Sequence, residues 1–152
     1  MSSIASFTHL PIESLDGLRQ ATLQGGYAEY LKQHGRETAV YPWSGYVLGT
    51  LLVYLEEQQH VDMMKSEYDE LATFLTESQQ ASHFIFTHAH RRAYFDNLLP
   101  ENFTEAMLCD YYNDFNATNE PNAGQPMLDG IRALRQSLNA LDESSVVLFC
   151  IG

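Results

Sequence analysis

Positive charge is what this chain has least of. Eight Lys and Arg stand against twenty Asp and Glu, a formal charge of −12 over 152 residues. The acids are spread along the whole length and form no detachable tail. A surface of this kind repels nucleic-acid phosphates and anionic membranes, because most nucleic-acid affinity comes from cations that displace counterions. No nucleic-acid and no membrane partner is therefore expected. The same field attracts a basic protein and speeds the encounter. Solubility alone is the plainer reading of it.

Cysteine is also scarce. Cys109 and Cys150 lie far apart, with no CxxC and no Cys-rich framework. The most apolar run, 46–55, is too short to span a bilayer. The N-terminal stretch has no basic region followed by a long apolar one, so no signal peptide is expected. A cytoplasmic protein with reduced thiols follows as the default. There is no G-x-S-x-G, no Walker or Rossmann glycine loop, no internal repeat and no low-complexity segment. The length fits a single domain over 1–152.

Aromatics are plentiful, with nine Tyr and eight Phe, which argues for a packed core. Residues 1 to 11 read as an irregular lead-in. Leu15, Leu18 and Thr22 are spaced for an amphipathic helix that Gly25-Gly26 interrupts. A second short helix over Tyr27 to Gln33 is expected to stop at Gly35 in a left-handed cap. Thr38 to Tyr41 reads as a short strand before Pro42. The run 46–55 is apolar on every side, so periodicity cannot decide it. Its length and the Glu-Glu-Gln-Gln tail favour a buried helix, whereas its β-branched and aromatic content suits a strand. As a helix it would place Gly45 and Gly49 on one face for a close approach.

A brief strand at 61–64 comes next. Ser66 and Asp69 then have the spacing of a helix-start box, and Tyr68, Leu71, Ala72 and Leu75 follow at helical intervals. Residues 83–87 form a short aromatic strand. The helix after it, His88 to Leu99, should turn Ala93, Tyr94 and Leu98 inward and end at Pro100. Thr104 caps another helix, with Phe103 and Leu108 placed as a hydrophobic staple and Leu108, Tyr111 and Phe115 facing inward. Met127, Ile131, Leu134, Leu138 and Leu141 mark the clearest amphipathic helix. The strand 146–151 is apolar throughout and so buried on both faces. The fold class is α/β or α+β, a helix-rich single domain around a small sheet that includes 83–87 and 146–151, joined by 38–41 or 61–64. Three helices between the two clear strands suggest a parallel, right-handed relation.

The densest polar chemistry lies in SHFIFTHAHRR, residues 82–92. His88, His90, Arg91 and Arg92 form an anion-binding candidate, because a strand entering a helix start exposes backbone N–H groups and Arg recognises phosphate or carboxylate bidentately. The plain alternative pairs the arginines with a local carboxylate such as Asp96. His88 and His90 also make a weak metal candidate with His60, Asp62 and His83, as imidazole is the commonest metal ligand. That reading requires the strand to run past Thr87, since on a helix the two rings diverge. No other cofactor is expected.

Cys109 and Cys150 lack a neighbouring base and read as small hydrophobes rather than nucleophiles. Asp114, Asn116 and Thr118 resemble a calcium loop loosely, but Asn119 and Gln125 stand where it needs Gly and Glu. Tyr41, Trp43, Tyr46, Tyr94, Tyr111 and Tyr112 supply either core packing or an interface.

Three functional classes result. The first is a non-enzymatic inhibitor or immunity-type binder of a basic partner, by analogy of charge and size only. The second is an enzyme or sensor at the His88–Arg92 stretch. The third is a homodimeric structural or regulatory domain. The absence of a convincing catalytic constellation favours the first.

Overall fold

The alternation of β4 (Ser145–Ile151) governs the architecture. Val147 and Phe149 point to one side, Val146 and Leu148 to the other, and all four are buried. In a computed structural model describing residues 3–152, this strand lies inside a four-stranded sheet ordered β2-β1-β4-β3. Its neighbours β1 (Ala5–Pro11) and β3 (Ser82–Thr87) are both antiparallel to it. The short β2 (Arg36–Ala39) pairs antiparallel with β1.

Helices cover both faces. On one side, Leu10, Ile85, Val146 and Leu148 meet Leu15 and Leu18 of α1 (Leu15–Leu23) and Leu71 and Leu75 of α4 (Asp69–Gln79). Tyr27, Tyr30 and Leu31 of α2 (Tyr27–His34) pack against the same cluster. On the other side, Phe7, Phe86, Val147 and Phe149 meet α3 (Gly45–Gln59) and α7 (Gly124–Asn139). The rings of Phe7 and Phe149 stack at 4.7 Å, and Phe86 lies 5.4 Å from Phe149. Burying one such side chain is worth about 1.5–3 kcal/mol. The short α5 (His88–Tyr94) and α6 (Glu105–Asn116) complete this layer. The domain is a helix-rich α+β fold around an antiparallel sheet. No helix among the described residues is long and apolar enough to cross a membrane.

Several expectations hold in detail. The 46–55 run is helical, opened by Ser44, whose hydroxyl accepts from the Tyr46 N–H. Ser66, by contrast, does not cap α4: Asp69 accepts from the Ser66 N–H and Ser66 from that of Tyr68, which closes a turn ahead of a helix that starts only at Asp69. Thr104 accepts from the Met107 N–H, with Phe103 and Leu108 buried as the staple requires. All five positions named for the last helix are buried.

Other expectations are corrected. The lead-in is strand β1, overlooked because its large apolar groups, Phe7 and Leu10, sit on opposite faces of the sheet. The 83–87 and 146–151 strands are antiparallel, not parallel, because the chain enters the sheet from the reverse direction after α7. Residues 61–64 are not a strand. Val61 and Met63 are indeed buried, but they plug the core from a loop with no strand alongside.

Gly35 is extended (φ −103°), and the left-handed glycine is Gly25 (φ 78°). A Cβ on Gly45 would meet Ser3 and Ile151, but Gly49 faces open space. The helix after β3 ends at Tyr94 and continues as a 3-10 turn over Phe95–Leu98, which leaves Ala93 exposed. Phe115 is also exposed rather than inward.

The tightest helix contact is between α6 and α7. A Cβ on Gly124 would fall on the Glu105 backbone, so neither chain can yield without shifting a helix. Gly124→Ala should lower the denaturant midpoint by an amount equivalent to about 1–3 kcal/mol, the ordinary cost of overpacking, with an unchanged slope.

Candidate functional site

The 82–92 stretch forms the open edge of the sheet and the turn that leaves it. Two of its outward N–H groups have side-chain partners. That of His83 donates to Thr76 Oγ1 at 3.0 Å, and that of Thr87 donates to His90 Nδ1 at 2.9 Å. Because Nδ1 accepts, Nε2 carries the proton and donates to the Lys65 carbonyl at 2.7 Å. His90 therefore ties strand, helix start and the Lys65 loop together. It is buried, and burial lowers its pKa from the ordinary 6.5.

His83 has a comparable environment. Its Nδ1 lies 2.7 Å from the Ala81 carbonyl and its Nε2 lies 2.7 Å from the Tyr27 hydroxyl. The ring thus donates to Ala81 and accepts from Tyr27. Burial lowers the His83 pKa and raises that of Tyr27. Cys150 is the cross-strand neighbour of His83, and its thiol is pushed up by burial. With both ring nitrogens engaged, His83 has no lone pair left to activate that thiol. Sequence offered no sign of this cluster, since Tyr27 and His83 are 56 residues apart.

The four anion-binding candidates separate. His90 is buried in the contacts above. Arg91 donates to the Leu141 carbonyl at 2.5 Å and its guanidinium lies 5.8 Å from the Phe95 ring. Only His88 and Arg92 line a shared hollow of about 210 Å³, and Glu67 and Glu143 line it with them. Two carboxylates at that mouth oppose an anion.

The metal candidates do not converge either. His88 and His90 are on a helix, which turns their rings apart. His60 is the exposed left-handed cap of α3 (φ 56°), and Asp62 accepts from the Met64 N–H at 3.0 Å. Among the described residues no three His, Cys, Asp or Glu come together as metal ligands.

Asn113 explains the calcium-like segment. Its Oδ1 accepts from Thr118 Oγ1 and from the Glu120 N–H, both at 2.8 Å, and its amide donates to the Glu120 carbonyl at 3.0 Å. One neutral side chain thus organises the turn. The Cys109 thiol donates to the same carbonyl at 3.3 Å.

A different surface gathers what the motifs did not. Tyr46 on α3 and Met107 and Phe115 on α6 are 59%, 42% and 51% exposed. The two helices are joined side by side. Tyr111 donates to Glu57 at 3.1 Å, Tyr54 and Tyr111 meet edge-on at 4.9 Å, and Asn116 donates to Thr50 at 3.2 Å. The Tyr111 ring stacks on Phe115 at 5.9 Å. Burial, with the hydrogen bond to Glu57 adding to it, pushes the Tyr111 pKa up to about 12. The two helices carry five acids, Glu56, Glu57, Glu105, Asp110 and Asp114, and no Lys or Arg.

No family model matches the chain, and neither a curated protein nor a solved structure shows significant similarity to it.

The buried imidazoles make stability pH-dependent. Folded-state pKa values lie below the unfolded 6.5 for His83 and His90, and also for His9, where Arg36 adds to burial. Their stabilisation is complete above that value and is lost as pH falls from it through the lowered folded values. The melting temperature should accordingly be flat above neutrality and drop as pH falls below 6.5. His90→Ala should cost about 1–3 kcal/mol at neutral pH, by orphaning the Thr87 N–H and Lys65 carbonyl, and should flatten the acid limb. A pH series of thermal melts measures both.

Proposed function

We propose that this protein is a non-enzymatic interaction module, of the inhibitor or immunity type, that binds a basic partner protein on the α3–α6 surface. The observation that carries the reading is the coincidence of exposed apolar groups with one-signed charge. Tyr46, Met107 and Phe115 lie on helices whose exposed acids are Glu56, Glu57, Glu105, Asp110 and Asp114, with no cation among them. Aromatic and Met side chains are enriched in protein interfaces, where they supply the dehydrated contact. The surrounding carboxylates steer a partner of opposite sign and penalise one of like sign. A second copy of this chain would bring acid against acid, which disfavours the homodimer on this surface.

The buried histidines support a non-enzymatic role. Both nitrogens of His83 and His90 are used in holding backbone and hydroxyl groups, which leaves neither ring free for proton transfer. An enzyme or sensor at His88–Arg92 would have to work with His88 and Arg92 alone, beside Glu67 and Glu143.

The test uses a panel of basic proteins and acidic controls with the full chain. Binding to a basic member should weaken by an order of magnitude or more as salt rises from about 0.01 to about 0.15 M and the screening length shrinks from about 30 to about 8 Å. Phe115→Ala should lengthen no residence time and cost about 1–2 kcal/mol of affinity. Asp110→Lys with Asp114→Lys should slow association, while both variants keep the parent melting temperature within a few degrees. Salt-insensitive binding, or amide-shift changes confined to other surfaces, would overturn the reading. A concentration-dependent dimer mass abolished by Phe115→Ala would assign the surface to self-association instead.

A further inference from the structure

The tertiary fold assembles a cation cluster that the sequence disperses. Arg91 of α5 and Arg135 of α7 converge on the Phe95 ring, with guanidinium carbons 5.8 and 3.9 Å from its centroid. Arg135 Nε donates to the Phe95 carbonyl at 3.2 Å, and Arg91 Nη1 donates to that of Leu141. Among the described residues neither arginine has a carboxylate within ion-pair distance. The ion pairs among the described residues are Arg19–Glu70 and Arg132–Asp129. Both guanidiniums are held by a carbonyl and the Phe95 ring rather than by a carboxylate. Among the described residues the two terminal nitrogens of Arg135 have no acceptor, since its one hydrogen bond is made by Nε.

Beside Arg135 lies a hollow of about 280 Å³, lined by Phe95, Pro100, Arg132, Arg135, Gln136 and Asn139. No carboxylate lines it. Each of the four other principal hollows has at least one, including Glu105, Glu70, Glu77 and Glu143 respectively. Asp129 touches the site only through Arg132, its partner at 2.8 Å. The lining thus offers two guanidiniums and two amides, all able to donate. Stacking on Phe95 and the bond to its carbonyl hold the Arg135 fork in place, so little side-chain freedom is lost when it engages a ligand.

We propose that this hollow binds the phosphate group of a small molecule. Arg135 engages two oxygens through its unpaired terminal nitrogens. Arg132 adds a second charge, and Gln136 and Asn139 donate to the remaining oxygens. The volume is just below the range of about 300–1,000 Å³ that ligand sites span, and so suits a short phosphate monoester rather than a nucleotide. The site is separate from the α3–α6 surface, and each proposal stands without the other.

The experiment titrates the full chain with inorganic phosphate, glycerol phosphate and acetate. Heat of binding and the amide and guanidinium NMR signals of Arg135, Gln136 and Asn139 are followed. Saturable binding of inorganic phosphate or glycerol phosphate, with shifts at those three residues, is the expected result. Arg135→Gln should weaken it by about tenfold or more. Should that variant lose its fold with the Phe95 contact, Arg132→Gln provides the test. Its side chain is 54% exposed, so its removal leaves the core intact and should weaken binding several-fold. No saturable binding by either phosphate would overturn the proposal, as would unchanged affinity in Arg132→Gln. Acetate binding as tightly as phosphate would overturn the assignment to phosphate, and shifts centred on His88 and Arg92 would overturn the location.

Discussion

A strand that is apolar on both sides must be covered on both sides. β4 is that strand here, with Val147 and Phe149 facing α3 and α7 and Val146 and Leu148 facing α1 and α4. Both of its edges are paired as well, by β1 and β3. The rest of the chain is arranged by this requirement. Helices α1, α2 and α4 cover one face and α3, α5, α6 and α7 the other, where the Phe7, Phe86 and Phe149 rings lie. No single interaction is large, since each buried ring or leucine contributes only about 1.5–3 kcal/mol, but all of them need β4 to be central.

The polar groups inside follow from the same layout. Placing β4 in the middle makes β3 an edge, and an edge presents unpaired N–H groups that invite pairing with another chain. Thr76 and His90 occupy two of those groups from neighbouring helices. His90 therefore does structural work at the point where a reader of motifs would look for a ligand. His83 and Tyr27 similarly satisfy one another beneath α2. Buried polar groups carry a high cost when unpaired, and the buried polar residues of this stretch, His83, Thr87 and His90, are all hydrogen-bonded.

Charge is then left to the surface, and it is unevenly spread there. The α3–α6 side has acids and exposed aromatic groups without a cation, whereas Arg91, Arg132 and Arg135 meet around Phe95. These regions carry opposite chemistry on one small domain. A strongly acidic molecule can hold an anion only where its own carboxylates are absent, and the Phe95 hollow meets that condition.

Much of the helical structure was legible because period and capping are local. Leu15, Leu18 and Thr22, the Leu71–Leu75 spacing, the Thr104 cap and the Met127-to-Leu141 stripe each needed only neighbours within a turn or two. The two-sided burial of 146–151 was legible for the same reason, from composition alone. Strand β1 was not, because Phe7 and Leu10 read as irregular until a sheet separates them onto two faces. Strand direction was not, because it depends on where α7 delivers the chain. The amino-acid sequence by itself determined an acidic, helix-rich domain around a buried strand. Tertiary structure alone decided that His88, His90, Arg91 and Arg92 part company, that Tyr27 meets His83, and that Arg91 meets Arg135 over Phe95. Hydrogen bonds and charge pairs between distant segments have no period to read. They exist only once packing has brought the partners together.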